Sequence, residues 1–143
     1  MKGITILLVL CLNYNPILDL KAVENSPNIG NLNYLKKFKG KYPHKIKLFG
    51  NNPFTTRLKT LLKSRYDFLI KTWGPETPIE VNKNTFIAWG CQQHNCSNTN
   101  FTIVVDFAKN VLYVGIREEE KVKIYSEDGS ENIEVTNWAN RTN

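Results

Sequence analysis

Cysteine and histidine are scarce in this chain, with three of the first and two of the second among 143 residues, and that scarcity closes off most metal chemistry. A closed structural zinc site needs four ligands and commonly draws on two cysteine pairs. Cys91, His94 and Cys96 stand together, but no second pair exists to complete them, so no metal or other cofactor is expected. The four residues between Cys91 and Cys96 also depart from the two-residue spacing of redox dithiols. The apolar run Ile4 to Leu12 has nine residues, whereas a bilayer-spanning helix needs about twenty, so no membrane span is expected there. No internal repeat and no long low-complexity tract appears, which excludes a fold built from stacked copies.

What the N-terminus does contain is Met1-Lys2-Gly3, the apolar run and a mixed polar stretch reaching Ala22, the pattern of a signal peptide over residues 1–22. Cys11 raises the rival reading of a lipid attachment site, but bulky Leu10 stands before it where such sites take a small residue. Cleavage removes Cys11 and leaves one cysteine pair. In an oxidising compartment that pair closes as Cys91–Cys96, with His94 at the tip of the loop. So short a closure removes only about 2 kcal/mol of chain entropy from the unlinked ensemble, so its main effect is on loop shape.

Residues 23–143 suit one domain with one core. The polar, aperiodic stretch at its start and the lysines that follow, Lys36 to Lys47, read as a flexible basic lead over residues 23–50, with a short helix in its second half. The formal net charge of +6 permits an anionic partner, although a lysine cluster is more commonly a solvated face. The domain proper spans 51–143. Asn51-Asn52-Pro53 signals a helix start with an asparagine as N-cap. Phe54, Leu58, Leu61 and Leu62 then fall on one helical face, with Arg57, Lys59 and Lys63 mostly off it.

From Ile79 the period changes to that of strands. Ile79 to Val81 and Thr85 to Trp89 flank the turn-rich Asn82-Lys83-Asn84. Phe101, Ile103, Val105 and Phe107 alternate on one core face of the next strand. Val111 to Ile116 and Val122 to Tyr125 follow, joined through a charged tip at Arg117 to Lys121. The order is that of an antiparallel meander. Asp128-Gly129 fits a hairpin turn, yet Asp128 and Glu131 also have the spacing of a helix capping box, and local pattern leaves both open.

With these residues in place, the chain from about Phe54 to Trp138 resembles the inhibitor of vertebrate lysozyme family. That family carries Cys-Lys-Pro-His-Asp-Cys after one strand and before two more. Here Thr85 to Gly90 lead into Cys91-Gln92-Gln93-His94-Asn95-Cys96, and the strands Phe101 to Phe107 and Val111 to Ile116 follow. The resemblance implies an α+β single domain with an antiparallel sheet flanked by helices, and it resolves the C-terminus as a helix near Gly129 to Asn140. It implies a periplasmic or secreted protein that is not an enzyme but an inhibitor, with lysozyme as its protein target. The loop Cys91 to Cys96 enters the lysozyme cleft, His94 is the inhibitory residue, and a homodimer is among the states the family adopts. Gln92, Gln93 and Asn95 replace the family's lysine, proline and aspartate, which removes a charge pair and a backbone restraint.

The reading from a different class is a small secreted basic nuclease using His44 and His94 with a lysine as general acid–base groups. His44 sits beside Pro43 among lysines, where an exposed loop histidine is the plainer expectation. A third reading is a lectin-like or nucleic-acid-binding module built on Trp73, Trp89 and Trp138, against the plainer expectation that tryptophans on strands and helices are core. Asn95-Cys96-Ser97, Asn100-Phe101-Thr102 and Asn140-Arg141-Thr142 match the N-glycosylation pattern.

Overall fold

Helical periodicity gives way to alternation after Ile79, and the structure divides at the same place. A computed structural model describes residues 30–141. Residues 1–22, read above as a signal peptide and containing Cys11, lie outside them. Helix α1 runs Phe54–Leu62 and helix α2 Arg65–Thr72. Five strands follow: β1 Glu80–Val81, β2 Thr85–Cys91, β3 Thr99–Asp106, β4 Val111–Glu118 and β5 Lys121–Ser126. They form one antiparallel meander in the order β1-β2-β3-β4-β5, and α3, Ile133–Ala139, closes the described chain. The α+β class read from the sequence is the class observed.

Alternation places Phe101, Ile103 and Val105 of β3 on one face, where they join Phe86 of β2, Leu112 and Val114 of β4, and the α1 residues Phe54, Leu58 and Leu62. The sequence reading gave β3 this core face alone. In fact Val104 is also fully buried, packing with Tyr113, Val135 and Trp138 under α3 on the opposite face. A strand covered on both sides reads as a continuous apolar run, so alternation understates its burial. Trp138 lies flat enough on the sheet that a Cβ at Gly115 would stand 2.2 Å from its Cζ3, so that position admits only glycine.

Other expectations change. Within the lead segment, Leu32, Leu35 and Leu48 are fully buried in the main core, at or beside the 3-10 turns Asn33–Phe38 and Leu48–Gly50. Their apolar side chains, interspersed among lysines, bury while the ammonium groups remain in water. The asparagine cap is also corrected, since Pro53 occupies the cap position of α1 without a side-chain bond. Asn51 instead donates to the carbonyls of Ile46 (3.0 Å) and Lys47 (2.9 Å). Helix α2, absent from the sequence reading, buries only Leu69 fully, too little for a recognisable periodicity. At the C-terminus Asn132, not Asp128, caps α3, accepting from the N–H groups of Glu134 and Val135. Asp128 accepts from the Ser130 N–H and then its hydroxyl, and these bonds hold its carboxyl below the ordinary range.

Arg57, expected off the core face, is only 6% exposed. Its guanidinium forms a fork with Glu127, 2.9 Å to Oε1 and 2.5 Å to Oε2, and donates to the carbonyls of Gly30 (2.9 Å) and Asn110 (2.6 Å). The Glu127 carboxylate also accepts from the Leu112 N–H at 2.8 Å. One cation therefore joins the start of the described chain, α1, the β3–β4 turn and the exit from β5. Removing one partner of a buried pair leaves the other charge unpaired, so Arg57→Ala should destabilise by about 3 kcal/mol or more in denaturant unfolding. Arg57→Lys should recover only part, because a single ammonium cannot make the fork.

Candidate functional site

The loop of interest is the β2–β3 connection, and the pairing of those strands determines where it emerges. Cys91 at the end of β2 stands opposite Asn100 near the start of β3. Cys91 is bonded to Cys96 in a disulfide with a Cα separation of 4.9 Å, and it is fully buried, so one end of the loop is fixed in the body of the protein. Between them Gln92, Gln93 and His94 are exposed.

Local hydrogen bonding specifies the turn. The Asn95 N–H donates to the Gln92 carbonyl at 3.0 Å, which closes a four-residue turn with Gln93 and His94 at its centre. His94 has φ 62°, while Gln93 is not left-handed. A positive φ at the third position alone is the type II pattern, whose second position favours proline and whose third favours glycine or asparagine. An L-residue in left-handed backbone costs on the order of 1 kcal/mol and persists only where its surroundings hold it. The holding groups are named by the bonds. Gln92 N–H donates to the Thr99 carbonyl (2.9 Å), and Asn98 and Thr99 N–H groups donate to the Asn95 carbonyl (3.1 and 2.9 Å).

Asn95 is the hub. Its Nδ2 donates to Gln92 Oε1 at 2.8 Å and to Thr99 Oγ1 at 3.3 Å, and its Oδ1 accepts from Asn98 Nδ2 at 2.9 Å. The Gln92–Asn95 bond stands where the family motif has a lysine and an aspartate. A neutral amide pair thus takes the place of the ion pair. The Glu119 N–H donates to the Asn98 carbonyl at 2.7 Å, tying the acidic tip of the β4–β5 hairpin to the loop.

Beneath the loop lies a second brace that sequence reasoning missed, although Gly74-Pro75 and Thr77-Pro78 mark a turn-rich segment there. Gly74 N–H donates to the Cys91 carbonyl at 2.8 Å, and Cys91 N–H to the Pro75 carbonyl at 2.9 Å. Trp73 lies against Gly90, where a Cβ would meet its Cε2 at 2.3 Å, and it stacks on Phe101 at 5.9 Å. Its Nε1 donates to Glu76 Oε2 at 2.7 Å, and Glu76 Oε1 accepts from the His44 N–H at 2.9 Å, with His44 Nδ1 at 2.5 Å. His44 is thus committed to a nearly buried carboxylate in the brace. No described hydrogen bond or ring contact joins it to His94. Trp73 and Trp138 are core or near-core side chains, and Trp89 is half-buried at the edge of the second cluster.

Of the three glycosylation patterns, Asn100 is 4% exposed with its Oδ1 accepting from Trp138 Nε1 and its Nδ2 donating to the Cys96 carbonyl, and Asn95 is the loop hub. Neither amide is free to carry a glycan in the folded protein. Among the described residues no group of three metal-ligating side chains is placed to hold an ion, and no helix is long and apolar enough to cross a membrane.

A rigid sheet that offers one disulfide-closed, polar loop defines a loop-presenting scaffold. The sequence places it within that class: the chain belongs to the inhibitor of vertebrate lysozyme (Ivy) family, whose model matches residues 53–142. Membership supports lysozyme inhibition as the function and lysozyme as the target. No curated protein and no solved structure matches the chain. The matched segment contains the sheet, all three α-helices and the loop, while the buried leucines at 32, 35 and 48 precede it.

Gln93 sits at the second position of the turn, just before the left-handed His94, and its N–H donates no hydrogen bond among the described residues. Gln93→Pro should therefore be accepted and should stabilise the protein by about 0.4–1 kcal/mol through the unfolded chain, read as a higher melting temperature. A loss of stability would show that the backbone at Gln93 is not that of the turn.

Proposed function

We propose that this protein is exported to the periplasm or beyond the cell and inhibits lysozyme by inserting the Cys91–Cys96 loop into the active-site cleft, with His94 as the blocking group. The observation that carries this reading is a left-handed, exposed histidine held at the apex of a closed turn in a member of a lysozyme-inhibitor family.

A retaining glycosidase presents two carboxyl groups about 5 Å apart, one protonated and one ionised. Neutral imidazole has one donor and one acceptor nitrogen and can satisfy both carboxyl groups at once. The loop is closed before binding by its disulfide and by the Asn95 bonds, so association orders little new backbone. Long-range charge gives little help, since loss of Lys2, Asp19 and Lys21 with residues 1–22 only lowers the net charge from +6 to about +5, and the target class is rich in basic enzymes. Glu119 and Glu120, attached to the loop through the Glu119–Asn98 bond, set a local acidic rim beside it, while Glu118 is paired with Arg65.

The test is lysozyme turbidity with purified mature protein. His94→Ala should weaken inhibition by at least about 2 kcal/mol, the scale of an interface hot spot, with no appreciable fall in melting temperature. His94→Gly should lose inhibition equally while leaving the melting temperature unchanged or higher, because glycine tolerates the left-handed backbone. Inhibition by either variant at the wild-type level contradicts the mechanism. His44→Ala should leave inhibition intact, and any ribonuclease activity abolished by that change would favour the nuclease reading instead.

A further inference from the structure

The α3 face of the sheet carries a groove that the inhibitory loop does not use. A cavity of about 330 Å³ is walled by Trp89 and Trp138 and adds Glu80, Asn82 and Glu134. A second, of about 190 Å³, shares both tryptophans and Arg141 with the first and adds Arg117. The two adjoin at these shared residues, with Glu80 and Glu134 lining the first, Arg117 the second and Arg141 both.

Arg117 is the informative residue. It is 8% exposed, comparable to Arg57, yet the two buried arginines are treated differently. Arg57 is neutralised by Glu127, whereas no carboxylate pairs with Arg117 among the described residues. Arg117 Nη2 donates to the carbonyls of Ala139 (3.0 Å) and Arg141 (3.1 Å), with that of Trp138 at 3.4 Å, and its guanidinium lies over the Trp138 ring at 5.4 Å. Those carbonyls, at the negative end of α3, account for one nitrogen and part of the charge. Arg117 Nε is buried with no hydrogen-bond partner among the described residues. A buried guanidinium without a counter-charge and with an unmet donor is expensive unless something else supplies the anion.

We propose that this cleft is a second binding site, for a short glycan that carries a carboxylate. The polarised C–H groups of a pyranose ring pack on the negative face of an indole, and half-buried Trp89 offers one, while Trp138, 5% exposed against Gly115 and under the Arg117 guanidinium, lines the cleft without a free face. Glu80, Asn82 and Glu134 accept from sugar hydroxyls, while Arg117 and Arg141 take the acid group. The site is independent of the inhibitory reading, since neither its walls nor its charges belong to the Cys91–Cys96 turn, apart from Cys96 at the rim.

The test is a titration of the ¹⁵N-labelled mature protein, followed by NMR, with three probes: the neutral disaccharide of N-acetylglucosamine, the disaccharide of N-acetylglucosamine with N-acetylmuramic acid, and inorganic phosphate. Saturable shifts should appear at the Trp89 and Trp138 indoles, and the acidic disaccharide should bind at least about tenfold more tightly than the neutral one, the scale of one charge-assisted contact. The exposed-residue variant Arg141→Ala should remove at least about threefold of that preference without changing the melting temperature or lysozyme inhibition. Absence of saturable shifts with either sugar, equal affinity for both, or phosphate binding as tightly as the acidic sugar would each overturn the assignment. A protein that inhibits lysozyme and fails these titrations contradicts this inference alone, and one that passes them without inhibiting contradicts the inhibitory reading alone.

Discussion

The structure depends on the pairing of β2 with β3. Their register, running from Thr85↔Asp106 to Cys91↔Asn100, sets the depth at which the chain leaves the sheet and the spacing of the two ends of the loop. A slip of one residue would turn every side chain of β3 to the other face, exchanging Phe101, Ile103 and Val105 on the α1 side for Val104 on the α3 side, where the neighbours are shaped for the present set. The position of His94 is therefore determined by packing throughout the domain, not by the loop alone. The disulfide, the Asn95 hub and the Gly74–Glu76 brace act on a loop whose base is already placed.

Charge is handled in two ways. Where a cation closes the fold it is paired, as Arg57 is with Glu127, and the pair draws four segments together. On the surface, ion pairs such as Arg65 with Glu118 contribute little, because both partners keep much of their hydration. The loop itself avoids ionic restraint altogether. Its Gln92–Asn95 amide pair is insensitive to salt and to pH over the range in which carboxylates titrate, which suits a recognition element that must keep one shape in varied surroundings.

Much of this was legible in the sequence. Alternation located the long strands, the 3.6 period located α1, and the cysteine pair located the loop, because each pattern is a direct consequence of which side chains must be buried. What was not legible depends on distant partners. Nothing near Arg57 announces that Glu127 lies opposite it, and nothing near Leu32, Leu35 or Leu48 distinguishes a packed leucine from one in a basic tail. Asn132 took the cap of α3 in place of Asp128, since two competing local motifs three or four residues apart are separated only by where the helix finds its core contact, at Val135 and Trp138. The site was legible as a list of residues and not as a geometry. That His94 is left-handed, and that Asn95 faces inward to hold it there, follows from bonds to Thr99 and Asn98 that no motif encodes.

The central claim is that His94 acts on the target's catalytic carboxyl pair itself and not on the rim of the cleft. A double-mutant cycle measures this directly, combining His94→Ala with replacement of the target lysozyme's general-acid glutamate by glutamine and reading affinity by calorimetry. The account predicts a coupling energy of at least about 1.5 kcal/mol, as found for close charged or hydrogen-bonded pairs across an interface. Additivity within about 0.5 kcal/mol would place the histidine away from the catalytic carboxyl groups and contradict it.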